Sequence, residues 1–147
     1  MATADIEPTS AALDTSIVEL PEGIIGFPEL KRAEVIFSEA ELPFLRLRDT
    51  DPGGLTLLVV EPGPLVVGYQ PEILDNDLEF LAIDKPEDVL LLNIATIHER
   101  DSVAVTLNLV GPIVVNRRTR QARQVVIGNF QNYSARHKLF ESEGQDS

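Results

Sequence analysis

The sequence predicts a mainly β fold, a small antiparallel β-barrel-like domain with one or two short helices. Three observations support this fold class. Short apolar segments separated by Pro, Gly, Asp and Asn recur through residues 16–127. Some of these segments alternate apolar and polar residues with a period of two, which is typical of strands with one solvated face. Helical periodicity is scarce, and many short strands with frequent turns indicate a barrel or a tightly rolled sheet.

Alternation is clearest in two segments. In residues 103–109 the valines and leucines at odd positions fall on one face. In residues 44–48, Leu45 and Leu47 point one way, and the two arginines that alternate with them point the other way. Each segment therefore predicts a strand with one buried face.

Nine strands are predicted, at Ser16–Leu20, Ala33–Phe37, Phe44–Arg48, Leu55–Val60, Leu65–Tyr69, Val89–Ile97, Val103–Leu109, Pro112–Asn116 and Gln124–Ile127. The strands at Leu55–Val60 and Val89–Ile97 are apolar on both faces. We therefore expect them to be central in the sheet.

One helix is predicted near residues 76–82. Asp75 or Asp77 can cap its start, and Asp84-Lys85-Pro86 ends it. A second helical turn is expected near Pro28–Leu30. Residues 38–41 have capping-box spacing, but Pro43 leaves room for only one turn there.

The domain is predicted to span residues 16–140, with disordered tails at 1–15 and 141–147. The first 15 residues carry no basic residue and no apolar core of a signal peptide. The chain has no cysteine, and its longest apolar stretch is far below the roughly 20 residues that a membrane helix needs. These features favour a cytoplasmic protein that does not enter a membrane.

The formal net charge is -12, and it is unevenly distributed. Residues 1–101 hold 21 acids and 6 bases, residues 102–140 hold 6 bases and no acid, and residues 141–147 add 3 acids. Such acidity opposes direct binding to nucleic acid, although acidity alone also serves solubility. The one basic cluster, at Arg117, Arg118, Arg120 and Arg123, has no interleaved aromatic residues, and we interpret it as a solvated hairpin turn.

No pattern of residues predicts catalysis, a cofactor or a metal site. The chain has two histidines, His98 and His137, and neither has a second histidine or a cysteine at ligand spacing. Structural roles are expected for both. Gly23–Gly26 and Gly53-Gly54 match neither phosphate-binding loop pattern, and turns explain them.

Three blocks of sequence, in order, resemble the FliW family of flagellar assembly factors. Residues 20–30 (LPEGIIGFPEL) resemble the family's opening G-[IL]-x-G-F-P turn. Residues 89–97 (VLLLNIATI) lead to 105–116 (VTLNLVGPIVVN), where the family shows T-x-N-L-x-x-P-I-V-[VI]-N. Residues 124–127 (QVVI) and 133–139 (YSARHKL) resemble its closing Q-[VI]-[VI]-L…Y-x-x-R-x-x-L. Ala122 departs from the family, many members of which have Gly there.

The resemblance implies a non-enzymatic protein that binds two protein partners in turn, flagellin and the RNA-binding translational repressor CsrA. On its own the protein is expected to be a monomer. Bound to CsrA, such a protein keeps the repressor off the flagellin message. Unsecreted flagellin then occupies the factor and frees CsrA to repress. A terminal helical segment of flagellin is the expected ligand, and acidic surface is expected to oppose RNA binding to CsrA. The candidate partner-binding residues are Glu72, Glu79, Glu87, Asn108, Pro112, Tyr133 and Arg136. A structural role is the favoured alternative for two of them, with Asn108 bonding neighbouring backbone and Pro112 marking a bulge or a strand edge.

Two alternatives remain open. A flagellin chaperone with no role toward CsrA would fit the same motifs. A small-molecule-binding β-barrel, or an enzyme built on one, is a different class, although a barrel of this size has little interior room once aliphatic side chains fill it.

Overall fold

The computed structural model describes residues 17–99 and 102–143, without the side chains of Ser102, Val103 and Phe140–Glu143. The strands are β1 (Ile17–Glu19), β2 (Arg32–Ile36), β3 (Leu45–Asp49), β4 (Thr56–Val60), β5 (Val89–Glu99), β6 (Ser102–Leu107), β7 (Ile113–Asn116), β8 (Ala122–Gln124) and β9 (His137–Glu143). The helix α1 is Asp75–Phe80, and single 3₁₀ turns lie at Glu39–Glu41, Pro86–Asp88 and Phe130–Asn132. The predicted mainly β fold is confirmed.

The nine strands of residues 17–99 and 102–143 belong to one antiparallel sheet, in the order β9-β6-β5-β4-β3-β2-β1, with β7 pairing β5 and β8. The long strand β5 has β4 on one edge and both β6 and β7 on the other. The sheet rolls up until β1 meets β8, where a single parallel bridge joins Glu19 to Gln121. The sheet is therefore barrel-like but is not closed by a continuous ladder.

The alternation in the sequence corresponds to the two faces of the sheet. Leu47 is fully buried in β3, while Arg46 and Arg48 lie outside and pair with Glu41 at 2.7 Å and Glu34 at 3.0 Å. In the second alternating segment, residues 105, 107 and 109 are buried as predicted. The central positions predicted for β4 and β5 are confirmed as well.

The core has three parts. The first fills the inside of the rolled sheet and includes Leu20, Leu47 and Ile113. The second lies between the β5–β6–β9 extension and residues 60–69, and the third packs α1 against β7. Burying an aliphatic side chain contributes roughly 1.5–3 kcal/mol, so the first part is the main stabilising element.

The helix α1 forms where predicted, but its predicted cap is wrong. Leu74 occupies the N-cap position, and no side chain caps the helix. Asp77 is instead buried, with its carboxylate 3.3 Å from the guanidinium of Arg123. The Asp77 carboxylate, which the sequence suggests as a helix cap, therefore forms an ion pair with Arg123 instead.

Two predicted strands differ from the structure. Residues 65–69 form turns, because the amides of Leu65 and Val66 both donate to the carbonyl of Pro62 at 2.9 Å and curl the chain. The strand predicted at Gln124–Ile127 is shifted, since β8 ends at Gln124. Beyond it, the amide of Val125 donates to the carbonyl of Pro112 at 3.0 Å, outside any ladder.

The ends of the domain also differ from the prediction. The sequence predicts no strand at β9, and this strand continues to Glu143, three residues beyond the predicted end of the domain. The second helical turn near residues 28–30 is only a hydrogen-bonded turn, in which Leu30 donates to Phe27 at 3.1 Å. The predicted tails at residues 1–15 and 144–147 lie outside the described residues.

Candidate protein-binding site

An apolar groove of roughly 620 Å³ is lined by residues of β4 and β5 and of the segments that connect other strands. Its walls come from residues 24–27, 56–58, 94–97, 108–111 and 124–126, and Ala135 completes them. We call it the mouth groove. Its floor continues the first part of the core, because Leu57 and Ile94 pack against that part from the groove side.

The mouth groove exposes large apolar side chains to solvent. Ile25 is 66% exposed, Val126 50%, Ile97 44% and Phe27 38%. Every residue that lines the groove is uncharged at neutral pH. An uncharged apolar strip on a chain with a net charge of -12 is a feature of protein-binding surfaces.

The Gly23–Gly26 turn that forms one wall is fixed by glycine geometry. Gly23 has φ +70° and Gly26 has φ +90°, values that side-chain-bearing residues rarely adopt. A Cβ on Gly23 would lie 2.5 Å from the carbonyl oxygen of Pro28, so only glycine fits there. The turn therefore holds Ile25 outward.

Gln124 ties this turn to the opposite wall. Its Oε1 accepts from the amide of Ile25 at 2.8 Å, and its Nε2 donates to the carbonyl of Gly111 at 2.9 Å. On that wall, Asn108 Oδ1 accepts from the amides of Val110 and Gly111 at 3.0 and 2.9 Å. Asn108, a predicted partner-binding residue, thus lines the groove but uses its side-chain oxygen to shape the loop.

A polar network supports the groove from below. The side chain of the fully buried Asn93 donates to the carbonyl of Asn108 at 2.9 Å and to the hydroxyl of Tyr69 at 3.3 Å. Tyr69 donates to the carbonyl of Leu109 at 2.6 Å. Burial raises the pKa of the Tyr69 hydroxyl, against a smaller lowering by the hydrogen bond from Asn93. Tyr133 meets the Tyr69 ring edge-on at 5.0 Å.

A second surface, around α1, is acidic. Five exposed carboxylates there lack an ion pair among the described residues, and we call them the acidic face: Glu72, Asp75, Glu79, Asp84 and Glu87. Lys85 is the only base between residues 72 and 88. The Glu72 carboxylate also packs over Gly128, because a Cβ there would lie 2.6 Å from Glu72 Oε1.

Two of the four arginines of the basic cluster, Arg118 and Arg123, form ion pairs. Arg118 pairs with Asp88 at 3.3 Å. Arg123 pairs with Glu22 at 3.1 Å and with Asp77, and its guanidinium lies 4.1 Å above the Phe80 ring. These contacts support the interpretation of the cluster as a hairpin turn and not a phosphate site.

Arg120, in the turn of this hairpin, has a left-handed backbone conformation with φ +69°. Burial and, to a smaller degree, the neighbouring charge of Arg117 lower the pKa of the Arg120 guanidinium. Ala122, the position that departs from the family pattern, is buried in β8 and needs no glycine geometry.

The structure does not bring all the predicted partner-binding residues together. Glu79 and Glu87 lie on the acidic face with Glu72, away from Asn108 in the mouth groove. Pro112 is buried, and its carbonyl accepts from the amide of Val125. Two others lie near the C-terminal end: the hydroxyl of Tyr133 accepts from the amide of Gln70 at 2.9 Å, and the amide of Arg136 donates to Ser134.

The sequence did not single out Ile25, Ile97 or Val126, the most exposed apolar residues of the groove. Ile97 and Val126 lie in apolar segments of the sequence, and such segments predict buried core residues. The signal at Ile25 was present, since an isoleucine between two glycines in a tight turn has no neighbours to bury it.

Within residues 17–99 and 102–143, no group of three or more His, Cys, Asp or Glu side chains is arranged to hold a metal ion. His98 bonds Thr106 Oγ1 at 2.9 Å through Nε2, as expected of a structural histidine. In that same part of the chain, no helix has the length and apolarity required to span a bilayer.

Comparisons with known proteins agree with the sequence motifs. The family model described as "FliW protein" matches residues 6–139. The flagellar assembly factor FliW of Syntrophus aciditrophicus is 39% identical over 114 residues, which cover 78% of this chain and 72% of the relative. That of Geobacillus kaustophilus is 35% identical over 127 residues, covering 86% of both chains. A crystal structure of the flagellar assembly factor FliW superposes with a TM-score of 0.75 at 35% identity, covering 85% of this chain and 86% of that one.

Proposed function

The chain belongs to the FliW family of flagellar assembly factors, and from that membership we propose that it binds flagellin and the translational repressor CsrA in turn. It works in the cytoplasm, without catalysis, as a switch that reports unsecreted flagellin. The observation that supports this proposal best is the presence of two chemically different surfaces, the apolar mouth groove and the acidic face. Because the two surfaces are separate, binding in turn requires that the two bound partner proteins clash with each other outside these contacts.

Flagellin is assigned to the mouth groove. Flagellin segments that pack inside a filament expose apolar side chains before assembly, and an apolar groove with no charged lining suits such a segment. The relatives are named as assembly factors, which is consistent with a ligand that is a filament subunit.

CsrA is assigned to the acidic face. A docked protein that places carboxylates beside an RNA path opposes phosphate binding, provided they lie within roughly 8 Å at physiological salt. Glu79, Asp84 and Glu87 are exposed, and no ion pair among the described residues neutralises them. Glu72 is less suitable, because its side chain packs over Gly128.

The test of flagellin binding uses the purified chain and monomeric flagellin. Size-exclusion chromatography with light scattering should detect a complex of equal stoichiometry, and flagellin lacking both terminal segments should not bind. Equal binding by the truncated flagellin would contradict the proposed ligand, and no binding by full-length flagellin would contradict the function.

The test of the acidic face is a charge-neutral variant, Glu79→Gln with Asp84→Asn and Glu87→Gln. It should still bind CsrA but release less RNA from it. The matched control neutralises three exposed carboxylates elsewhere, Glu29→Gln, Glu39→Gln and Asp51→Asn. If both variants release RNA as well as the unaltered chain, steric occlusion or a change in CsrA replaces repulsion as the mechanism.

The flagellin chaperone with no role toward CsrA stays the second candidate. It predicts the same flagellin complex and no complex with CsrA.

A further inference from the structure

The ladder between β4 and β5 stops before either strand ends. It contains three pairs, Leu58 with Ala95, Val59 with Ile94 and Val60 with Asn93. In the same register, Thr56 would lie opposite Ile97, but the two are not paired. Strand β4 starts at Thr56 and β5 continues to Glu99, so the two strands separate while both remain extended.

The backbone groups at this separation face the gap. In an antiparallel pair, the hydrogen-bonding groups of alternate residues point to opposite edges. The amide of Asp49 donates to the carbonyl of Leu55 at 2.9 Å, so odd residues of β4 face β3 and Thr56 faces β5. The amide of Asn108 donates to the carbonyl of Ile94 at 3.0 Å, so even residues of β5 face β6 and Ile97 faces β4.

The gap opens into the mouth groove, because Thr56 and Ile97 both line it. Two unpaired strand edges facing each other across an apolar groove form a template for a further strand. A bound helix would leave these edges unpaired, because its backbone groups bond within the helix itself.

We propose that the mouth groove receives an extended segment of the partner protein, which pairs its backbone with Thr56 and Ile97. This inference rests on the proposed function, in which flagellin is that partner, and it replaces the helical ligand expected from the family resemblance. The segment carries uncharged, apolar side chains on the face toward the groove, where Ile25 and Val126 contact them. A negatively charged segment is disfavoured, because the chain carries a net charge of -12.

The most direct test is amide hydrogen exchange, followed by NMR on labelled protein with and without full-length monomeric flagellin. Exchange at Thr56 and Ile97 should slow about tenfold or more in the complex, as expected for new backbone hydrogen bonds. The amide of Thr96 faces β6 in either case and is the internal control. Unchanged exchange at Thr56 and Ile97 in a formed complex overturns strand addition.

A proline variant at Thr56 tests the proposed backbone hydrogen bond through the affinity for flagellin. Thr56→Pro removes the amide that faces the gap and leaves those that face β3, so flagellin should bind about 3- to 10-fold more weakly. Thr56→Val keeps the amide and should bind within about twofold of the unaltered chain. Equal affinity of a folded Thr56→Pro variant, checked by thermal unfolding, contradicts the proposal.

The remaining outcomes are distinct. If flagellin does not bind the unaltered chain, the proposed function fails and this inference fails with it. If exchange at Thr56 and Ile97 slows with protein concentration in the absence of flagellin, a second copy occupies the groove and the proposal is wrong. If removing residues 2–16 speeds exchange in the free protein, the chain's own segment is the occupant, and the proposal is equally wrong.

Discussion

The side-chain amide of Asn93 donates to the phenolic oxygen of Tyr69 across 3.3 Å, and it also bonds the carbonyl of Asn108. These bonds join the turn segment at residues 61–70 to the central strand β5 and to the loop beneath the mouth groove. Asn93, which interrupts an apolar run in the sequence, is therefore a buried polar link between these three segments.

Replacing Asn93 by leucine should destabilise the domain by about 1–3 kcal/mol, because the half-buried carbonyl of Asn108 and the hydroxyl of Tyr69 lose their donor. Urea unfolding followed by circular dichroism measures the loss. The control, Asn132→Ala, changes an exposed asparagine and should alter stability by less than about 0.5 kcal/mol. A fully stable Asn93→Leu variant would show that the network is not structural.

Alkaline pH should destabilise the domain through Tyr69. Burial raises the pKa of its hydroxyl above the ordinary value of 10.0, so the folded state holds this proton more tightly than the unfolded chain. The associated stability is present below pH 10 and is lost as pH rises through the raised value. In a Tyr133→Phe variant, which has one tyrosine left, absorbance titration should give a midpoint above 10.0. A midpoint at or below 10.0 would contradict this assignment.

Replacing Arg123 by methionine should cost about 2–3 kcal/mol of stability, because Asp77 would be left buried and unpaired. The side chain of Arg123 is 24% exposed and that of Asp77 is 11% exposed. Arg48→Met is the matched control, since its pair with Glu34 has an arginine that is 56% exposed, and its loss should cost under about 1 kcal/mol. Equal losses in the two variants would show that burial does not distinguish the pairs.

Two glycines of the groove turn should respond differently to alanine. Gly23→Ala should lower stability by more than about 2 kcal/mol, because its Cβ meets the backbone of Pro28 in addition to the strain of positive φ. Gly26→Ala meets no atom within 4 Å and should cost only the strain, about 1 kcal/mol. Thermal unfolding compares them, and a Gly26 variant as unstable as the Gly23 variant would refute the steric argument.

Periodicity was enough to predict the strands that have one wet face, as Leu47 in β3 illustrates. It failed at residues 65–69, where an apolar run is curled into turns by bonds to Pro62. It also missed β9, because residues 137–143 alternate poorly and are paired only through their tertiary partner β6. The pairing of β9 with β6 depends on segments that are distant in sequence, so the β-propensity of residues 137–143 alone could not predict this strand.

Of the two candidate binding surfaces, the acidic face could be predicted from the sequence and the mouth groove could not. The acidic surface follows from composition, and Glu79 and Glu87 are exposed as required. The mouth groove is built from five separate stretches of chain and Ala135, and the gap between its two strands depends on where the pairing of β4 with β5 ends. No single segment such as residues 94–97 carries that information, so the groove could be found only in the fold.

The measurement that tests partner switching most directly is RNA binding by CsrA, followed by fluorescence anisotropy on a flagellin leader RNA. Adding this protein should lower the fraction of RNA bound to CsrA, and adding monomeric flagellin afterwards should restore it. The account is contradicted if the protein leaves RNA binding unchanged, or if flagellin fails to reverse the effect while forming its own complex with the protein.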